Sequence, residues 1–198
     1  MKKLNVPNVL TLLRVVLVPV FVAFTMYNIV DKPINYLVCA IIFALTAITD
    51  MLDGKIARKY NLITNFGKFM DALADKFMVY SAYIALIFLL EDKLMKELLA
   101  WLTVVIILRD LVINGIRMLA ASGDGTVIAA QFSGKAKTMT QSLSVIVLLM
   151  EPFFAYYTHL SVFSLGVFSY IAMALTLVAT VWSGIDYINS YRKFIDFN

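Results

Sequence analysis

Four aspartates occur as two pairs at helical spacing, an arrangement of carboxylates that could bind metal ions. Asp50 and Asp53 are three residues apart, and Asp71 and Asp75 are four residues apart. Residues at either spacing lie on one face of a helix. If residues 59–64 form a tight turn between antiparallel helices, the two pairs face each other at a similar depth. Four facing carboxylates repel one another unless cations neutralise them.

These acids predict a divalent-cation site. No histidine or cysteine is nearby, so an all-oxygen ligand set favours Mg²⁺ or Mn²⁺ over zinc. Two such ions could bind a diphosphate and stabilise both the attacking and the leaving oxygen. Gly54 and Ala57 lack bulk and would let a nucleotide approach the helix closely. The alternative is a buried ion-pair network in which Arg58, Lys68 and Lys76 neutralise the acids, an energetically expensive way to hold helices together.

A second group of charged residues is cationic. Arg109, Arg117, Lys135 and Lys137 fall near the ends of two neighbouring predicted helices, where they could bind a phosphate dianion. The alternative for each is that its long side chain reaches outward to lipid headgroups. Asp110 lies among them and has two open interpretations, as an ion-pair partner or as a substrate ligand.

The elements that must position these residues are membrane helices. Of 198 residues, 62% are hydrophobic and 15% are charged, whereas a soluble domain averages ~45–50% and ~25%. Long apolar runs favour helices over a β-barrel. We therefore predict one all-α integral membrane domain over residues 1–198, with a short N-terminal interfacial segment and a polar cavity. It has six transmembrane helices, at 8–29, 35–59, 64–90, 95–121, 133–151 and 158–190, most of them at or above the ~20 residues needed to span a bilayer.

The distribution of basic residues predicts the orientation. With the N-terminus in the cytoplasm, all but Lys32, Lys93 and Lys96 of the 17 lysine and arginine residues lie nearer the cytoplasmic helix ends. The positive-inside rule then places both termini of this multi-pass cell-membrane protein, and the opening of its cavity, in the cytoplasm. No basic run or aromatic–basic interleaving occurs, so we expect no nucleic-acid partner.

The segment from 50 to 75 resembles the signature of the CDP-alcohol phosphatidyltransferase family. Its spacing is D-x2-D-G-x2-A-R-x8-G-x3-D-x3-D. All eight fixed positions are present: Asp50, Asp53, Gly54, Ala57, Arg58, Gly67, Asp71 and Asp75.

The resemblance implies a role for each of these positions. Two Mg²⁺ or Mn²⁺ ions would be held by the first three acids, with Asp75 acting as general base on the incoming alcohol and also contacting a metal. Gly54 and Ala57 would line the nucleotide pocket. Arg58 would support the diphosphate or the acid cluster, and Gly67 would allow close helix packing. The family also implies a homodimer among membrane lipids. Separately, Asn8, Thr11 and Arg14 are three residues apart along one helix face and are expected to contact the nucleotide or a phosphate.

Other stretches resemble the bacterial members that make phosphatidylglycerophosphate. They lie at residues 7–14, 109–117, 134–138 and 184–187. This resemblance implies transfer of the phosphatidyl group of CDP-diacylglycerol to sn-glycerol 3-phosphate, with the acceptor phosphate on Arg109, Arg117, Lys135 and Lys137. One alternative is another acceptor, such as phosphatidylglycerol, inositol phosphate, serine or an amino alcohol. Another is a cation-coupled transporter, which would need acids through the whole membrane thickness, yet the outer halves of the spans contain almost none.

Overall fold

A computed structural model of the protein describes residues 6–27, 29–60, 65–122, 132–158 and 160–191. Within these ranges, side chains are described except at residues 6–8, 10, 51–59, 65–66, 68–69, 71–72 and 121–122. All regular structure in this part of the chain is helical, as predicted. The helices are α1 (Val6–Tyr27), α2 (Lys32–Lys59), α3 (Asn65–Leu89), α4 (Lys93–Ser122), α5 (Phe132–Thr158), α6 (Ser161–Ser164) and α7 (Val167–Tyr191).

The helices are those of a membrane protein. Within the part of the chain whose side chains are described, four helices contain stretches long and apolar enough to cross a bilayer: Lys32–Asp50, Lys93–Ala120, Phe132–Thr158 and Val167–Tyr191. A shorter apolar stretch, Thr11–Tyr27, lies in α1. In α3 the charged residues are concentrated in the first half, at the end where the predicted site lies, and the second half is apolar. The predicted interfacial segment overlaps the start of α1, and its residues 1–5 lie outside the described chain.

The predicted boundary between the fifth and sixth spans is wrong. Glu151 and Pro152 do not end α5, which continues to Thr158, because a proline removes one backbone hydrogen bond without preventing the next apolar turn. The break falls after Thr158, and a second break, between α6 and α7, falls at Gly166, whose φ of 68° is a left-handed conformation that glycine adopts at little cost. The predicted span 158–190 is therefore the single turn α6 followed by α7.

The bundle is built around α5 and α1. The α5 helix packs against α2, α3 and α7, and α1 packs against both α2 and α3. The α4 helix packs on α3 and α7. Large apolar side chains such as Phe88, Trp101 and Val178 are exposed on the outside of the bundle. Lipid tails solvate such a surface, so the burial of polar groups between helices becomes the informative feature.

Polar contacts identify one end of the bundle, opposite the predicted site. Lys32, at the start of α2, forms an ion pair with Glu91 in the α3–α4 loop, and this hydrogen bond lowers the pKa of the Glu91 carboxyl. At the same end the buried carboxylate of Glu151 accepts the backbone N–H groups of Phe168 and Ser169, at 2.9 and 2.6 Å. It thereby satisfies donors that the first turn of α7 leaves without helical partners. The other end holds the candidate site.

Candidate functional site

Asp110 organises the charged groups between α3, α4 and α5. Lys137 Nζ lies 2.7 Å from both of its carboxylate oxygens. Arg109 Nη1 donates to Oδ1 at 3.0 Å and the Tyr80 hydroxyl donates to Oδ2 at 2.9 Å. The Asp110 and Lys137 side chains are 9% and 8% exposed. These four hydrogen bonds already use both oxygens. Of the two interpretations that the sequence left open for Asp110, ion-pair partner or substrate ligand, the structure therefore supports the ion-pair partner, which holds the cations in place.

A cavity of about 690 Å³ lies beside this cluster. Five residues that the sequence assigned to the site line it: Asp75, Arg109, Arg117, Lys135 and Lys137. Lys137 is buried, whereas Arg117 and Lys135 are exposed at the rim. The structure thus brings the predicted base and the predicted phosphate-binding residues to one cavity, although they come from three different helices.

The described lining of the cavity carries an excess of positive charge. Lys76 also lines it, so among the described lining residues five cationic side chains accompany two carboxylates, those of Asp75 and Asp110. Lys76 was expected only in the alternative ion-pair network, and its place on this wall was not predicted. A net positive cavity between membrane helices is energetically costly unless an anion compensates it. A ligand bearing a phosphate dianion would supply that compensation.

Three buried donors at this cavity have no hydrogen-bond partner among the described residues. They are Nε and Nη2 of Arg109 and the side-chain amide nitrogen of Gln141. A buried donor without a partner costs about 1–3 kcal/mol, and more when it is charged. The Arg109 guanidinium is held with its Cζ 5.3 Å from the centroid of the Tyr187 ring. The wall therefore offers donors suited to a ligand rich in oxygen atoms.

Two glycines allow these side chains to pack closely. A Cβ at Gly184 would lie 3.3 Å from Arg109 Cγ, and one at Gly134 would lie 3.2 Å from the Tyr187 hydroxyl oxygen. Both contacts are tighter than normal carbon packing, so a larger residue would push the neighbour away. Ser133, next to Gly134, donates a hydrogen bond to Asp186 and so joins the start of α5 to the end of α7.

A separate ion pair joins α1 to the first of the four predicted metal ligands. Arg14 is fully buried, and its Nη1 lies 2.7 Å from Oδ1 of Asp50, whose side chain is 36% exposed. Thr11 is buried one turn before Arg14. The guanidinium that was expected on the nucleotide or a phosphate therefore has a carboxylate contact within the protein.

The four-aspartate cage is only partly described. Asp50 and Asp75 have described side chains, whereas those of Asp53 and Asp71 lie outside the described part. For Asn8, Gly54, Ala57 and Arg58, predicted for the nucleotide, only the helical backbone is described. Among the described side chains, no group of three or more His, Cys, Asp or Glu residues could hold a metal ion. The two described members fit a hard cation in chemical type, since both are carboxylates at the site end of the bundle. The cage stays a prediction.

The sequence missed Tyr80, Gln141 and Tyr187. Tyr80 completes the bonding of Asp110, and Tyr187 supports the Arg109 guanidinium. The sequence could have placed Gln141 at the site, because it lies four residues after Lys137, on the same helix face, in an otherwise apolar stretch. Nothing in the pattern distinguishes Tyr80 from the other tyrosines of an interfacial belt. Tyr187 ends the stretch 184–187 that resembles the bacterial members, but no role was predicted for it.

Comparison with known proteins identifies the family. The model of the family described as CDP-alcohol phosphatidyltransferase matches residues 4–182. The CDP-diacylglycerol--glycerol-3-phosphate 3-phosphatidyltransferase of Bacillus subtilis (strain 168) is 38% identical, with 93% of this chain and 94% of that protein covered. The enzyme of the same name from Yersinia enterocolitica is 35% identical over 96% of this chain and 97% of its own. A probable phosphatidylglycerophosphate synthase of Mycobacterium tuberculosis (strain CDC 1551 / Oshkosh) is 36% identical over 93% and 80%. The chain belongs to the CDP-alcohol phosphatidyltransferase family.

Proposed function

We propose that the protein transfers the phosphatidyl group of CDP-diacylglycerol to sn-glycerol 3-phosphate, giving phosphatidylglycerophosphate and CMP. The observation that carries this proposal is the cavity in which the side chains of Arg109, Arg117, Lys135 and Lys137 converge with Asp75. Cationic and partnerless donors there suit an acceptor that brings its own phosphate. The names of the Bacillus and Yersinia relatives support both substrates.

The reaction needs alignment and one proton transfer. The acceptor phosphate lies against the cationic wall, and the acceptor's free primary hydroxyl points toward Asp75. That hydroxyl oxygen forms a bond to the phosphorus carrying diacylglycerol, the bond from this phosphorus to the oxygen of CMP breaks, and the hydroxyl proton passes to Asp75. Such a transfer depends mainly on substrates held in register and on electrostatic stabilisation of the phosphoryl group, and a base within reach of the proton adds to the rate.

The donor's nucleotide and diphosphate belong to the α1–α2–α3 side of the site. We assign Asp50, Asp53, Asp71 and Asp75 to two Mg²⁺ or Mn²⁺ ions, which when bound supply positive charge to the diphosphate. The cytidine and its phosphates are assigned to Asn8, Thr11, Gly54, Ala57 and Arg58. The contact between Arg14 and Asp50 supports this assignment, because it fixes one carboxylate from a neighbouring helix, as outer partners of metal ligands commonly do.

The proposed arrangement in the membrane follows from the helix ends. All six long helices cross the bilayer, with both termini and the cavity opening on the cytoplasmic side. The start of α5 and the later part of α4, which contribute the cationic wall, then lie where a water-soluble acceptor can enter. The diacylglycerol tails stay among the lipids, and the exposed apolar surface serves lipid contact and a homodimer interface.

The acceptor decides between this proposal and its nearest alternatives. Serine, an amino alcohol or another neutral or cationic acceptor would leave the positive wall without a counter-charge. Inositol phosphate shares the phosphate and differs in size. The test is CMP release by purified protein from CDP-diacylglycerol with each acceptor in turn, with Mg²⁺, with Mn²⁺ and with a chelator.

We expect turnover with sn-glycerol 3-phosphate and a divalent cation, and none with the chelator. Lys137→Met should raise the KM for the acceptor at least tenfold. Lys93→Met is the matched control, because that side chain is 91% exposed at the opposite end of the bundle. Faster turnover of a neutral alcohol than of glycerol 3-phosphate would contradict the proposed acceptor.

A further inference from the structure

Gln141 is a buried amide on the wall of the cavity, and the mechanism above does not use it. It lies on α5 one turn after Lys137, and the residue is 2% exposed. Its side chain lines the cavity, and its amide nitrogen has no hydrogen-bond partner among the described residues. Burying an amide in this way is unfavourable unless something completes its bonding.

The backbone around Gln141 is held by other groups. Its main-chain carbonyl accepts the Ser144 hydroxyl at 2.9 Å, and the Tyr83 hydroxyl approaches the same carbonyl at 3.4 Å. The turn is thus fixed without the side-chain amide. The amide nitrogen is left as a donor at the cavity wall, where a bound ligand can supply its oxygen acceptor.

The position along the helix indicates which part of a ligand it meets. Gln141 lies nine residues after Phe132, the start of α5, and Asp75 lies ten residues after Asn65, the start of α3. At 1.5 Å per residue both are about 14–15 Å from the site-end start of their helices. The exposed cations Arg117 and Lys135 lie nearer the opening. An uncharged donor further along α5 than Lys135 and Lys137 suits a hydroxyl, whereas the phosphate is better served by the cations.

We infer that Gln141 donates its amide hydrogen to the secondary hydroxyl of the glycerol phosphate acceptor, next to the primary hydroxyl that reacts. Gln141 is then a specificity-determining residue that selects acceptors with an oxygen at that carbon. This inference rests on the proposed function. An acceptor without that oxygen leaves the buried amide unpaired, which is how a polar site rejects a deoxy analogue.

The test compares two acceptors that differ by one oxygen. The kcat/KM is measured with sn-glycerol 3-phosphate and with 3-hydroxypropyl phosphate, which lacks the secondary hydroxyl. Wild-type protein should prefer the first by about tenfold or more. Gln141→Met keeps the side-chain length and removes the donor, so its kcat/KM should fall about tenfold with glycerol phosphate and little with the analogue. The ratio between the two acceptors then approaches one.

Thr180→Val is the matched control. The Thr180 hydroxyl is also fully buried and without a hydrogen-bond partner among the described residues, but it is not on the cavity wall. That variant should keep the wild-type preference. Equal losses with both acceptors in Gln141→Met, or no loss with either, would overturn the inference.

Two further outcomes keep the inference separate from the proposed function. If wild-type protein transfers phosphatidyl groups to neither acceptor, the proposed function fails. If it transfers to both with equal efficiency, the function stands and the role of Gln141 is refuted, even if Gln141→Met does not fold. Gln141→Asn is the second variant, since its shorter amide should retain folding and lose most of the preference.

Discussion

Replacing Asp110 with asparagine removes a buried negative charge while leaving the size of the side chain almost unchanged. Three side chains share that charge through four hydrogen bonds of 2.7–3.0 Å. In Asp110→Asn the Lys137 ammonium stays buried without its counter-charge. The variant therefore tests whether Asp110 holds the cationic wall of the cavity in place.

The expected magnitude follows from the burial of the pair. Removing one partner of a buried ion pair costs about 3–5 kcal/mol. Both side chains of the Asp110–Lys137 pair are less than a tenth exposed, so this range applies. The asparagine oxygen still accepts one hydrogen bond, and we expect the lower end, about 3 kcal/mol of unfolding free energy. Each misplaced cation also weakens its bond to the acceptor phosphate by about 1.5–3 kcal/mol, roughly a ten- to hundredfold rise in acceptor KM.

The assay is reversible unfolding of the purified protein in detergent micelles, with and without glycerol 3-phosphate. Because the acceptor binds the variant more weakly, the same concentration of glycerol 3-phosphate should stabilise Asp110→Asn less than it stabilises the wild type. Glu97→Gln is the control, because its pair with Lys93 is 3.9 Å long and mostly exposed and should be worth less than about 1 kcal/mol. The reasoning is refuted if Asp110→Asn is destabilised no more than Glu97→Gln, or if the KM for CDP-diacylglycerol rises as much as that for the acceptor.

Three other substitutions test separate parts of the structure. Arg14→Gln removes the buried partner of Asp50, whose side chain is 36% exposed. The pair is thus only half buried, and we expect the unfolding free energy in chelator to fall by about 1–3 kcal/mol; an unchanged denaturation midpoint would contradict this. Gly184→Ala places a Cβ 3.3 Å from Arg109 Cγ, so the KM for the acceptor should rise several-fold in steady-state assays while the unfolding temperature changes little. Glu151→Gln can accept only one of the two N–H groups at the start of α7, and calorimetry should show a loss of about 1–2 kcal/mol. Its kcat per folded molecule should stay at the wild-type value, because this contact lies at the end of the bundle away from the site.

Hydrophobic runs predicted the helices well where a run ends at a turn or a charged loop. The first four predicted spans agree with α1 to α4 to within a few residues at each end. The failure came at Pro152, where a local rule favoured a break and the helix continues. Its neighbour Glu151 bonds to the first turn of α7, a contact between distant segments that no window of sequence reveals.

The candidate site, too, could be predicted where single residues stood out in the sequence and not where a role depends on contacts between helices. Charges inside apolar helices marked Asp75, Arg109 and Lys137 as unusual, and the structure places all three at one cavity. The sequence left Asp110 undecided because its role depends on hydrogen bonds from three helices. Gln141 passed unnoticed because an uncharged amide is a weak signal until its burial and lack of a partner are known.

The most direct measurement is an experimental structure of the protein with sn-glycerol 3-phosphate and a non-reactive analogue of CDP-diacylglycerol bound in the presence of Mg²⁺. We predict the acceptor phosphate within hydrogen-bonding distance of Arg109 and Lys137, and its primary hydroxyl within reach of Asp75. Density for the acceptor at the opposite end of the bundle, or with its phosphate directed away from these cations, would contradict the account.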